Sequence, residues 1–427
     1  MSAGYWHDVD GHFKILNSPL SSPLNQAAGL PASSYAVHPY PTMLQIVPPI
    51  WPQSQTHGSL PVSQSQDQFV RRIGTGTSFR PQPLNLPQWQ TFSPGLNNAI
   101  TDVPGIKVGQ VTYSSDVPNR IHTGVTAIVP DSAALTHNQG NLANTGFRAS
   151  SITLNGNGEL TGAHFINEFG VLNSPIMLTN TRAVGAIHDG VDRYFDKHFP
   201  GQWSCGLPVI GECYDGYFNT SGQNVIPPEA AEQSIEQAKS GPVQQGRVGA
   251  GTGMRCFGLH AGIGSSSRKI NLNGHEYTIG VLVNANHSHL EDMNPLIRQQ
   301  LESQFGPLDQ LKMRDDMDHA PSRPTVSPRQ GSIQVVIATD LPLNNKQLEE
   351  LAKRGGLGIG NTGSFIGTTS GDFVTAFSTA NPVPMGAEPP TVLNTTELHP
   401  DAMNMAFKAT VEAVTEAQTN ALVASHS

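Results

Sequence analysis

The sequence predicts an α+β fold, on three observations. Short apolar runs rich in β-branched residues, each bounded by turn residues, recur along the chain and read as strands. Between them lie segments with helix punctuation, proline in a first turn and glycine after a last one. The two kinds alternate on both sides of residue 331, where the texture changes abruptly. At 427 residues the chain has room for one large domain or two ordinary ones, and its 43 glycines suit tight turns and close backbone approaches.

Taken in order, residues 1–90 are rich in Pro, Ser and Gln and carry no sustained apolar period, which predicts a largely disordered extension. A folded domain is expected over 91–427, with its first regular structure after Asn97. Strands are predicted from Ile106 to Val111, in GVTAIVP (124–130), in PIMLTN (175–180) and in YTIGVLVNAN (277–286). A helix is predicted after Pro227 and Pro228, running through EAAEQSIEQAK to Gly241. Residues 287–331 are polar and proline-bearing and read as a connector that ends exposed. Ser332 then opens a strand to about Thr339. A short helix follows with Leu348, Leu351 and Ala352 on one face and Gly355 as its stop, then a glycine-rich loop, a strand in GDFVTAFSTAN, and a closing amphipathic helix.

Composition excludes several functions. A formal charge of -9 argues against a nucleic-acid surface. No apolar run reaches the roughly eighteen residues that a membrane span needs, and the first residues lack the pattern of a secretory signal. Cys205, Cys213 and Cys256 form neither a disulfide framework nor a zinc spacing, so a reducing, cytoplasmic setting is expected. The histidines supply no metal-ligand set, and no metal or organic cofactor is expected. GIGNTG (358–363) matches a dinucleotide-binding pattern, but it follows a predicted helix and runs toward a strand, the reverse of that motif's context; it reads as a turn-rich active-site loop.

The Gly331–Ser332 junction carries the chemistry. Ser332 follows a polar linker and a glycine and begins an apolar strand. If the preceding peptide bond were cut, the freed α-amine would sit on the same residue as the hydroxyl, with an ordinary pKa of about 7.7–8.0, suited to a general base near neutrality. Two residues alone read first as a loop end.

The wider pattern resembles the DmpA/BapA family of self-processing aminopeptidases, the L-aminopeptidase/D-esterases and β-aminopeptidases. The resemblance runs from about Asn98 to Leu422. It includes AITDVPGIKVG, GVTAIVP, LNGNGELTG, LTNTRAVG, GECYDGYFN, GRVGAGTGM, VLVNAN, GSIQVVIATD and TSGDF. It implies a four-layer αββα sandwich like that of N-terminal-nucleophile hydrolases, cleavage between Gly331 and Ser332, and assembly of the processed two-chain units into a homo-oligomer. By the same resemblance Ser332 is the nucleophile and Ser370 assists it. Asp372 takes an acidic position where other members can have glutamate. Glu212 binds the substrate's free amine, Tyr214 lines the pocket, and Asn286 stabilises the oxyanion, with Asn284 the nearby competitor. The implied substrates are peptides and amino-acid amides or esters. Plain structural readings stand beside these: a paired surface acid for Glu212, core packing for Tyr214, and turns for Asn286, Ser370 and Asp372. The competing functions are an acyltransferase of the ornithine acetyltransferase kind, whose nucleophile is threonine, and an inactive binding protein on the same fold.

Overall fold

A computed structural model describes residues 84–427, apart from 117–119, 138–139, 203–206, 220–223, 312–330 and 387, together with the two-residue strand Arg71–Arg72. The extension expected over 1–90 therefore lies mostly outside the described residues. Its last part does not behave as expected: Leu84 and Leu86 are buried in the main core, so the folded part already includes them, ahead of residue 91.

Two sheets form the middle of the molecule. The first runs β1 (Arg71–Arg72), β2 (Ile106–Ser115), β3 (Ile121–Pro130), β6 (Ile176–Asn180) and β7 (Val209–Cys213). The second runs β10 (Gly262–Leu272), β11 (His275–Asn286), β12 (Gly331–Thr339), β13 (Ser370–Pro384), β4 (Thr145–Gly156) and β5 (Val171–Leu172). A small hairpin, β8 (Arg255–Cys256) with β9 (Leu259–His260), stands apart from both. The helices are α1 (Ser132–Leu135), α2 (Ala163–Phe169), α3 (Val184–His198), α4 (Glu229–Glu236), α5 (Pro295–Phe305), α6 (Leu308–Leu311), α7 (Asn345–Asn361) and α8 (Met403–His426).

Three apolar clusters stack these elements into four layers. Ile187, Val191 and Phe195 of α3 and Ile235 of α4 pack on Val125, Ala127, Met177 and Ile210, the outer face of the first sheet. Ile128 and Leu178 on its inner face meet Leu282, Val336, Ala338, Phe373 and Phe377 of the second sheet. The far side of that sheet, with Val283, Ile333, Val335, Ile337 and Val374, is covered by Leu348 and Leu351 of α7 and Ala409, Ala413 and Ala417 of α8. Strand alternation explains the sorting: in β12 the odd positions face the helices and the even positions face the other sheet. The order is helices, sheet, sheet, helices. Among the described residues no helix is long and apolar enough to cross a membrane.

Besides α4, which ends at Glu236 rather than running to Gly241, three elements differ from the sequence reading. The predicted connector after residue 286 folds as far as Leu311: Leu290, Met293, Ile297, Leu301 and Leu308 are buried in the main core. Pro295, read as a breaker, stands at the start of α5, where its missing N–H costs nothing, and the Asn294 side chain caps the turn by accepting from Leu296 N. Residues 312–330 lie outside the described residues.

The second difference is α7, which does not stop at Gly355 but continues to Asn361, so most of GIGNTG is helix rather than loop. These glycines serve close packing. A Cβ on Gly355 would lie 2.9 Å from Val374 Cγ1 of β13, and one on Gly358 would lie 2.6 Å from Val414 Cβ of α8.

The third is α8, which is not simply amphipathic. From Glu412 to Val423 every residue is buried, because α7, the second sheet and the 87–92 segment surround it. Its polar groups are tied internally: Gln418 bonds to His287 and to the Gly358 carbonyl, and Asn420 Nδ2 donates to Ser265 O at 2.9 Å.

The tie between α8 and the start of the domain is ionic. Arg268, 1% exposed on β10, lies 3.3 Å from Glu412 Oε2 through Nε and 2.6 Å from Glu416 Oε2 through Nη1. Its Nη2 also donates to Trp89 O at 3.2 Å. Glu412 in turn accepts from Thr91 N at 3.0 Å and Phe92 N at 3.2 Å, and Glu416 accepts from Asn98 Nδ2 at 2.6 Å. Removing one member of such a network strands its buried partners. Glu412→Ala is expected to lower unfolding free energy by about 3–5 kcal/mol, read from urea denaturation. Loss of under about 1 kcal/mol would show that the network is not holding the segment.

Candidate active site

The nucleophile candidate sits where β12 begins. Ser332 pairs with Asn286 across the antiparallel β11–β12 ladder and with Gly371 across the parallel β12–β13 ladder. Its side chain lies on the sheet-facing side of β12, 2% exposed, at the wall of a cavity of about 390 Å³. Asn157, Glu159, Thr181, Glu212, Tyr214, Tyr217, Asn286 and Gly331 line the same cavity. Four expected site residues, Ser332, Asn286, Tyr214 and Glu212, thus meet in one place.

Two donors converge on the Ser332 hydroxyl. Asn286 Nδ2 donates to Oγ at 3.2 Å and Tyr214 N at 3.3 Å. The amide is held on three sides, because Nδ2 also donates to Tyr214 O at 2.8 Å and Oδ1 accepts from Arg255 N at 2.9 Å. Since Oδ1 faces a backbone N–H, the NH2 end faces the serine. Asn284, the competing amide, is fully buried one alternation deeper, opposite Gln334, and has no hydrogen bond to Ser332. Geometry favours Asn286.

Glu212 is not a surface acid. At 4% exposure its carboxylate accepts from Glu159 N at 3.1 Å and from the Thr181 hydroxyl. Burial raises its pKa above the ordinary carboxylate value, against the lowering effect of those two donors. Tyr214 stands edge-on to Tyr217 with ring centroids 5.8 Å apart, and the Arg255 guanidinium lies 4.0 Å from the Tyr217 centroid.

Ser370 and Asp372 approach from elsewhere. The Ser370 hydroxyl donates to Asp372 Oδ1 at 2.7 Å, and neither side chain bonds to the Ser332 hydroxyl. The register explains why. Ser370 pairs with Gly331 and Asp372 with Ile333, so their side chains share the helix-facing side of the sheet, whereas Ser332 Oγ points to the other. They flank the Gly331–Ser332 peptide rather than the hydroxyl. Asp372 Oδ2 is buried and has no hydrogen-bond partner, and burial pushes the carboxyl up to about 6. His287, the next residue after Asn286, is fully buried and held neutral, its pKa pushed down to about 4 by burial, with Nε2 on Gln418 Oε1 at 3.0 Å. It is not a base for Ser332.

Gly331 is required by space. A Cβ there would lie 2.9 Å from His287 Cα and 3.1 Å from Asn286 O, both backbone atoms that cannot swing away.

Comparison with known proteins places this geometry. Residues 98–427 match the model of peptidase family S58. The chain belongs to peptidase family S58. It is 37% identical over 345 residues to the β-peptidyl aminopeptidase BapA of Sphingosinicella microcystinivorans, covering 78% of this chain and 82% of that protein. Its structure is similar to the L-aminopeptidase D-Ala-esterase/amidase of Ochrobactrum anthropi, described as a prototype for the serine aminopeptidases and a variant of the N-terminal-nucleophile hydrolase fold. That match has a TM-score of 0.66 at 34% identity, over 80% of this chain and 89% of the other. A β-aminopeptidase from Burkholderia sp. matches with a TM-score of 0.65 at 34% identity, over 78% and 88% of the two chains. The S58 chain is accordingly a hydrolase of the aminopeptidase/amidase class with a serine N-terminal-nucleophile fold, and the four layers are that fold.

Some residues of this S58 site were not singled out from sequence. Thr181 and Glu159 lie inside LTNTRAVG and LNGNGELTG, yet Glu159 acts through its backbone N–H, which no residue type announces. Tyr217 lies within GECYDGYFN, where Tyr214 was the pocket candidate. Cys213 and Cys256 are buried and free.

The stranded carboxyl of Asp372 makes a testable contribution in the uncut S58 chain. Its folded pKa, about 6, lies above the unfolded value of 3.8. The folded state therefore holds a proton that the unfolded state releases, and stability falls as pH rises from about 4 to about 6. The loss is complete above that window and amounts to at most about 3 kcal/mol. In a Ser332→Ala background, Asp372→Asn removes this liability. Urea unfolding at about pH 4 and about pH 7.5 is expected to show the Asn variant gaining on its parent at the higher pH. A constant difference would mean that burial does not raise the Asp372 pKa on folding.

Proposed function

We propose that this S58 chain is a self-processing enzyme that cleaves the Gly331–Ser332 bond and then uses Ser332 to release N-terminal residues from peptides, amides or esters. The observation that carries the reading is the hydroxyl of Ser332 held between Asn286 Nδ2 and Tyr214 N in the cavity that also contains the Glu212 carboxylate.

In maturation, Ser332 Oγ attacks the Gly331 carbonyl carbon. The peptide C–N bond breaks, the hydroxyl proton passes to the departing nitrogen, and water hydrolyses the resulting ester. The products are chains 1–331 and 332–427. The new α-amine arises beside Ser370 and Asp372, whose carboxylate becomes its counter-ion. In turnover the amine takes the hydroxyl proton as Oγ attacks the substrate carbonyl. Asn286 Nδ2 and Tyr214 N–H stabilise the oxyanion, a side-chain donor in that role being worth roughly 3–4 kcal/mol. The ammonium then protonates the leaving amine, and water, activated by the same amine, resolves the acyl-enzyme.

Glu212 supplies substrate polarity. A free N-terminal ammonium neutralises its buried charge, where a charge-assisted contact contributes roughly 1.5–3 kcal/mol. The relatives' names point to aminopeptidase substrates, with β-amino residues among them. Processed units are proposed to associate as a homo-oligomer, and the two buried thiols suit a reducing, cytoplasmic setting.

Two experiments test the reading. Intact-mass analysis of purified protein is expected to give two chains split after Gly331, and one chain for Ser332→Ala; uncut wild-type protein with full activity would overturn it. N-acetylation of a good substrate is expected to lower kcat/KM at least tenfold in wild type and far less in Glu212→Gln. Equal wild-type rates on free and acetylated substrate would remove Glu212 from amine recognition.

A further inference from the structure

Gln334 is 2% exposed and stands two residues beyond Ser332 on the same face of β12. The next residues on that face, Val336 and Ala338, are apolar members of the inter-sheet core. An amide in such a place is costly unless bonded. Its Nε2 donates to Glu212 O at 3.0 Å and to Glu159 O at 3.4 Å, both in the half of the site opposite the nucleophile's sheet. Those two residues also bind each other: Glu212 N donates to Glu159 O at 3.2 Å, and Glu159 N to Glu212 Oε1 at 3.1 Å. The side chain crosses β7 at Gly211, where a Cβ would come within 2.7 Å of Gln334 Cδ, so the glycine leaves the space that the amide fills.

We propose that Gln334 is a positioning residue, bridging the two sheets so that the nucleophile strand sets the place of the Glu212 carboxylate. The proposal rests on the reading of Glu212 as the ammonium site. Gln334 touches no substrate. It holds the backbone of Glu212 and the carbonyl of the residue whose N–H aims the Glu212 carboxylate. Its loss leaves Ser332, Asn286 and the Tyr214 N–H in place but releases the Glu212 and Glu159 carbonyls that it holds.

The test compares L-alanine p-nitroanilide with its N-acetyl derivative on full-length, processed wild type, Gln334→Met and Gln334→Asn. Methionine keeps the volume and removes the donor; asparagine keeps the donor but withdraws it by one methylene. Thermal unfolding checks that each variant is folded, and intact mass that it is processed. The free-to-acetylated ratio of kcat/KM is expected to fall at least tenfold in the variants, chiefly through KM for the free substrate. The rate on the acetylated substrate and the pH profile of kcat should stay as in wild type. A role in packing alone would lower both substrates together and leave the ratio intact, and that result in either folded variant overturns the proposal. If wild type itself does not distinguish the two substrates, the Glu212 reading fails. If wild type distinguishes them and the variants do so equally well, only the role of Gln334 fails.

Discussion

Ser332 faces Asn286 because β11 and β12 run antiparallel in one particular register, and the geometry of the site follows from that pairing. Alternation means that a slip of one residue would turn Ser332 toward the helices and put Ile333 in the cavity. The register is held by apolar sorting. Ile333, Val335 and Ile337 reach the helix-side core, and Val336 and Ala338 reach the inter-sheet core; neither set tolerates exchange with the other. The same ladder carries Asn286 to the serine, and the β8 backbone then fixes which end of the amide points at it.

The frame around that ladder relies on close approach. Gly355 and Gly358 let α7 settle on β13 and α8, and Gly264 of β10 lets α8 lie against the sheet, where a Cβ would overlap the Ala417 carbonyl. Little room is left for polar groups, and the charged ones between β10 and α8 are partnered. The Arg268 guanidinium, shared by Glu412 and Glu416, joins β10, α8 and the segment entering the domain. Such a network contributes less by net energy than by the penalty for any arrangement that leaves one member unpaired.

Much of this was legible in the sequence for identifiable reasons. Strands β11 and β12, which carry Asn286 and Ser332, are marked by apolar runs and the α4 start by its prolines, whereas β7, which carries Glu212, was not predicted as a strand. Ser332, Asn286, Tyr214 and Glu212 were found through whole motifs, and they converge. The failures are also physical. Proline at the start of α5 and glycine inside α7 were read by their local propensities, while capping by Asn294 and the demand for close packing decided both. The opposite-side placement of Ser370 and Asp372 depends on inter-strand register, which no linear motif encodes. Glu159 was hidden because it acts through a peptide N–H, and Gln334 because its role is a distance between two sheets.

Under the proposed cleavage between Gly331 and Ser332, the strand order β11–β12–β13–β4 has a bearing on the cut protein as a thermodynamic object. The piece beginning at Ser332 contributes the two inner strands, and the piece ending at Gly331 contributes the strands on both flanks. The larger fragment keeps the whole first sheet but only the two flanks of the second, the smaller fragment has only the two inner strands of the second, and α8 of the smaller is wrapped by β10 and the entry segment of the larger. Once scission has occurred, unfolding releases two particles where there was one. The folded fraction then depends on protein concentration, as in an obligate heterodimer. Reassembly is second order, so a processed molecule that melts in dilute solution has lost its partner as well as its shape.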